Sequence, residues 1–138
     1  MCAHIIMPNH WYLLLKTHYD GDLALFLQIL TQGHTQIVHH RVRTIGTGHL
    51  YQGRYESFVV EGDAHFITVL CYIERNAVHA GLVQFSEGWQ WGSGFHRVHN
   101  TTRASVLSTE LPVDVPPDYT TWTNDPTGDI EAEIVRTR

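Results

Sequence analysis

Residues 63–81 constrain the fold more than any other stretch. Phe66, Leu70, Ile73 and Ala77 lie on one line of a helix that turns by about 100° per residue. Asp63 stands where an N-cap belongs and Gly81 where a helix stops, so the spacing predicts a helix over 64–80. Such a helix must bury its stripe against another element. Upstream, residues 4–7 and 11–15 read as two strands broken at Pro8-Asn9, with β-branched and aromatic residues on either side of the break. Strands followed by an amphipathic helix imply an α+β fold with an antiparallel sheet.

The intervening chain adds a helix and then a strand region. Asp22 is the expected N-cap of a helix with Leu23, Phe26, Leu27 and Leu30 on its stripe. Gly33 predicts a kink, after which Ile37 and Val38 continue the stripe. Residues 46–48 read as loop and 50–60, rich in Tyr, Phe and Val, as a second strand region. Beyond Ser105, Pro112, Pro116, Pro117 and Pro126 are expected to break up anything regular.

With 138 residues and 43% hydrophobic content, the chain can bury one modest core and is not a disordered polymer. Seven Lys/Arg offset seven Asp/Glu in residues 1–103, so the whole net charge of −5 lies beyond them. A neutral body argues against a strong duplex-DNA binder and leaves room for one that grips a short, defined piece of nucleic acid. Cys2 and Cys71 form neither a zinc-knuckle spacing nor a disulfide framework. The apolar run 11–15 is too short for a signal peptide or a membrane span, and a cytoplasmic location is expected.

Two polar sets stand out. His10 and Tyr12 lie two apart on a strand, so both point away from Trp11 and Leu13. One side of that strand is expected to be core and the other to carry chemistry. On the helix, Tyr72 and Asn76 stack one turn apart, with His65 and His79 near the same line. The stripe is also what a solvated helix face looks like.

The segments MPNHWYLLL, GHLYQGRYES, YIERNAVHAGLV and WQWGS together resemble the single-tyrosine HUH transposases, particularly the REP-associated tyrosine transposase branch. Members of that branch read M-P-N-H-x-H-L-L, then G-x-x-x-Q-G-R-[FY], then [RK]-Y-[IV]-E-x-N-P-V-R-A-G-L-V, then W-x-W-S-S. The resemblance covers 1–97. It implies a ferredoxin-like α+β domain over 1–103, lacking the family's first strand and helix, followed by an acidic, proline-containing extension over 104–138. It also implies cleavage and rejoining of single-stranded or hairpin DNA through a phosphotyrosine, with a divalent metal, Mg or Mn.

Residue by residue, Tyr72 matches the nucleophile, His10 the first metal-binding histidine and Asn76 the polar ligand one turn after the tyrosine. Gln52 and Arg54 fall in a motif expected at a DNA-facing strand edge. Arg54 is the first candidate for a phosphate contact and Arg43 the second. Tyr12 stands where the family has its second histidine. A neutral phenol is a poor metal ligand, so an impaired or lost active site is expected. A hairpin-binding module that no longer cuts, and a decayed remnant, are the alternative readings. The oligomeric state stays open.

Overall fold

A computed structural model describes residues 1–125. Residues 126–138 of the expected C-terminal extension, with Pro126, lie outside the described residues. The elements are β1 (Ala3–Ile6), β2 (Trp11–Leu14), α1 (Asp22–Val42), α2 (Asp63–His79), α3 (Ser93–His99) and α4 (Tyr119–Asn124). The fold is α+β, with an antiparallel two-stranded sheet. The chain forms two compact units, one of residues 1–16 with 60 onward and one of residues 17–59.

In the first unit, β1 and β2 pair from Ala3↔Leu14 to Ile6↔Trp11. The Met7 N–H extends the ladder to the His10 carbonyl at 2.8 Å, so Pro8-Asn9 is a two-residue hairpin turn. Opposed residues share a face of a sheet. Ala3, Ile5 and Met7 therefore lie on the same side as His10, Tyr12 and Leu14. That side is the core: Ile5, Leu14, Phe66, Val69, Leu70, Ile73 and Ala77 are buried there, and Tyr12 and Tyr72 pack against them. The expected helical stripe is thus the core stripe. The expectation that chemistry and core occupy opposite sides of β2 is corrected, because α2 covers the face that carries Tyr12.

α2 also buries a charge. Glu74 is 2% exposed. Its carboxylate accepts hydrogen bonds from Ser93 Oγ at 2.5 Å and Arg97 Nε at 3.2 Å, and from the Tyr119 hydroxyl. Arg97 also donates to the Cys2 carbonyl. A buried carboxylate is tolerable only when paired and hydrogen-bonded in this way. Gly94 leaves it room, since a Cβ there would stand 3.2 Å from Glu74 Oε2. Burial and the adjacent carboxylate push the Tyr119 phenol far above its ordinary range. The segment beyond Ser105 is therefore not wholly irregular. Leu111, Val113, Val115 and Tyr119 pack on the core, and α4 forms once Pro116 and Pro117 lie behind it.

His4 sits on the opposite sheet face, stacked on His96 at 5.7 Å between centroids. Its Nδ1 is buried without a hydrogen-bond partner. Burial, with the nearby His96 and Arg97, pushes its imidazole down from 6.5 to about 4. The unfolded chain thus binds the proton first, and the folded state loses stability as pH falls from about 6.5 to 4. Full desolvation would make that loss about 3 kcal/mol, and partial exposure reduces it to roughly 2 kcal/mol. Urea titrations across this window should show wild type losing that much more than His4→Gln. Parallel curves would refute the assignment.

In the second unit, α1 runs as one helix through Gly33. A single glycine costs a helix only about 1 kcal/mol. Of the expected stripe only Leu27 is buried, while Phe26 and Leu30 are each 39% exposed. Gly21 and Gly62 occupy the N-cap positions predicted for Asp22 and Asp63. The Asp22 carboxylate instead accepts the backbone N–H groups of His18 and Tyr19. The strand predicted over 50–60 does not form. β-propensity records a fit to a paired, half-buried surface, and these residues have no neighbouring strand among the described residues.

Candidate active site

The hairpin turn and the middle of α2 bring four side chains together. Pro8-Asn9 reverses the chain so that His10, the residue before β2, lies on the core side of the ladder. One turn of helix separates Tyr72 from Asn76, so both meet this end of the hairpin. His10 Nε2 lies 3.2 Å from Asn76 Oδ1. The Tyr12 ring stands between the others, 5.2 Å from His10 and 5.6 Å from Tyr72 by centroid, edge-on to each. The Tyr72 hydroxyl donates to the Tyr12 hydroxyl at 3.5 Å. That is a loose contact, too long to polarise either phenol appreciably.

The histidine's partners fix what its ring can do. Nδ1 lies 2.7 Å from Asn9 Oδ1 and Nε2 3.2 Å from Asn76 Oδ1, so each ring nitrogen faces an amide oxygen, and the tautomer with its hydrogen on Nδ1 leaves the Nε2 lone pair for a cation. Nε2 and Asn76 Oδ1 are then two facing donors of electron density. Their 3.2 Å separation is about that of two adjacent ligands each roughly 2.1–2.2 Å from a cation. An imidazole nitrogen with an amide oxygen suits Mn²⁺, and Mg²⁺ less well. Tyr12 adds a neutral phenol, a weak third donor. The set fits a divalent cation as half a site, completed by water or a phosphate oxygen. Among the described residues, no three His, Cys, Asp or Glu side chains gather as a metal centre.

Two of the remaining sequence candidates lie toward the ends of α2. His65 Nδ1 accepts the Glu61 N–H at 3.3 Å, at the start of α2. His79 is exposed at the other end of the helix. Gln52 and Arg54 lie in the irregular part of the second unit, and Arg43 closes α1 in a left-handed conformation, φ 56°. Arg43 also lines an open cavity of about 590 Å³ with His40, Arg41 and Ile45. That cavity contains none of the four clustered residues, and a hollow at a helix end is weaker grounds for chemistry than converging donors. Sequence reasoning missed Glu74, which anchors the rear of α2 two residues from both Tyr72 and Asn76. Its only sequence signal was a carboxylate beside an apolar stripe.

Among the described residues no helix is long and apolar enough to cross a membrane. No curated protein and no solved structure matches the chain. The family model described as "Transposase IS200 like" matches residues 2–76, more than half of the chain and all four clustered residues. The chain belongs to the IS200-like transposase family.

Proposed function

We propose that this transposase-family chain acts on single-stranded or hairpin DNA and cuts and rejoins it through a phosphotyrosine at Tyr72. The observation that carries the reading is the convergence of the Tyr72 hydroxyl, Tyr12, His10 Nε2 and Asn76 Oδ1 from two elements far apart in sequence. The motifs at residues 72–83 and 89–93 favour the REP-associated branch, and action on DNA implies a cytoplasmic protein.

Tyr72 Oη attacks phosphorus, forming a P–O bond as the bond to the departing sugar oxygen breaks. The departing oxygen takes a proton from water, and the phenol proton leaves past Tyr12 to solvent. Rejoining is the reverse. A phenol is a weak nucleophile near neutral pH and depends on a polarised phosphate. His10 and Asn76 would hold a divalent cation, Mg or Mn, which when bound withdraws charge from the phosphate oxygens. Arg54, Gln52 and Arg43 supply backbone contacts. So few cations imply a shallow dependence of affinity on salt.

Tyr12 favours a second reading. Without the second imidazole, a hairpin-binding module can persist after cutting is lost. A labelled hairpin oligonucleotide with Mn²⁺ tests both readings. A faint covalent adduct is expected from wild type and none from Tyr72→Phe, which keeps the ring and removes the nucleophile. An adduct that survives Tyr72→Phe would overturn the assignment. Tight hairpin binding with no adduct at any Mn²⁺ concentration would establish the binding module.

A further inference from the structure

We propose that Trp11, Ile6 and Trp91 form a platform on which unpaired nucleotides beside the hairpin stack, with Arg103 as its cation. The inference rests on the reading that the chain acts on single-stranded or hairpin DNA.

The platform follows from register. Ile6 opposes Trp11 across the β1–β2 ladder. On the other edge of β1, the Ile6 N–H donates to the Trp91 carbonyl at 3.0 Å, and Ile5 bridges Gly92 in antiparallel sense. Trp91 therefore opposes Ile6 as Trp11 does. Opposed residues share a face, so the three side chains form one row across the sheet, on the side turned away from α2. Neighbouring backbones lie about 4.8 Å apart, so the backbones that carry Trp11 and Trp91 flank β1 at roughly 10 Å from each other.

Ile6 and Trp91 are held in place and exposed. Trp89 Nε1 donates to the Ile6 carbonyl at 3.0 Å, fixing the loop that carries Trp91. Ile6 is 50% and Trp91 42% exposed, and Trp11 is part-buried. The Arg103 guanidinium lies 5.4 Å from the Trp91 ring centroid. Apolar faces beside a cation suit an unpaired nucleotide, whose base stacks and whose phosphate is neutralised. A second copy of the chain fits less well, since a stable dimer covers about 800 Å² on each partner and three side chains offer far less. The row also begins one residue from His10, so a strand whose phosphate lies at His10 and Asn76 reaches it within a few nucleotides.

The test uses three DNA probes: a hairpin with an oligo-thymidine flank, the same hairpin with abasic sites in the flank, and the blunt hairpin. Trp91→Ala should weaken binding of the thymidine-flanked probe at least about fivefold, while its affinity for the other two stays within about twofold of wild type. Trp91→Phe should recover most of the loss, and Arg103→Gln should show a smaller one. Tryptophan fluorescence of wild type should be quenched by the thymidine flank and not by the abasic one. Equal weakening on all three probes, or none on the flanked one, overturns the platform and leaves DNA binding intact. Failure of wild type to bind any probe overturns the parent reading and the platform with it. A wild-type dimer that Trp91→Ala dissociates assigns the row to self-association and also overturns the proposal.

Discussion

Glu74→Ala is expected to cost about 3–5 kcal/mol of folding stability, the usual penalty for removing one partner of a buried pair. The substitution leaves the Arg97 guanidinium and the Ser93 and Tyr119 hydroxyls without their acceptor. A domain of this size has only about 5–15 kcal/mol in total, so the variant should sit near the edge of unfolding. Glu74→Gln keeps the shape and one acceptor oxygen, and should cost roughly 1–3 kcal/mol. Urea unfolding of Glu74→Ala, Arg97→Ala and the double variant separates a network from a cavity. A coupling energy above about 1 kcal/mol is expected, and additive losses would show that Glu74 and Arg97 are not coupled.

Tyr12→His should raise the affinity for Mn²⁺ at least about tenfold, a gain of roughly 1.4 kcal/mol, and the yield of Tyr72-linked adduct by a similar factor. The substitution supplies a second imidazole on the strand face that already carries His10. It sacrifices the edge-on contacts of Tyr12 with His10 and Tyr72, a 3.5 Å hydroxyl pair and part of the packing on the core, each ring contact being worth about 0.5–1.5 kcal/mol. Titration calorimetry reads the metal directly and does not depend on cutting. His10→Ala on the Tyr12→His background should abolish the gain. Unchanged Mn²⁺ heats in Tyr12→His would mean that position 12 does not face the cation.

What was legible in the sequence was what local periodicity controls. The apolar and aromatic run over 11–15 after the Pro8-Asn9 break pointed to the strand, its two-residue period to its faces, and the spacing of Phe66, Leu70, Ile73 and Ala77 to the helix and its buried line. From those two periods it followed that His10 and Tyr12 share a face, as do Tyr72 and Asn76. Long-range partners were not legible. The burial of Glu74 depends on Ser93, Arg97 and Tyr119, and nothing local to position 74 announces them. Residues 50–60 carry strand-forming side chains yet form no strand, because pairing needs a neighbour and propensity cannot supply one. α4 was hidden by prolines that precede it and do not interrupt it. Asp22 and Asp63 were misplaced by one position, since an acidic residue suits the first turn of a helix as well as its cap.

The closure of β1 by Trp91 and Gly92 has a consequence for synthesis. The strand leaves the ribosome long before the residues that cover its outer edge exist. At about 5–20 residues per second, that edge waits on the order of 4–20 s. Its hairpin partner is available almost at once, yet a lone two-stranded hairpin is marginal in water. During the wait, Ile5 and Ile6 present apolar side chains and unsatisfied backbone groups to any other nascent chain nearby. Translation speed through residues 17–90 therefore sets the odds between correct closure and strand-to-strand aggregation. Slowing it should lower the yield of folded protein without altering the stability of the molecules that succeed.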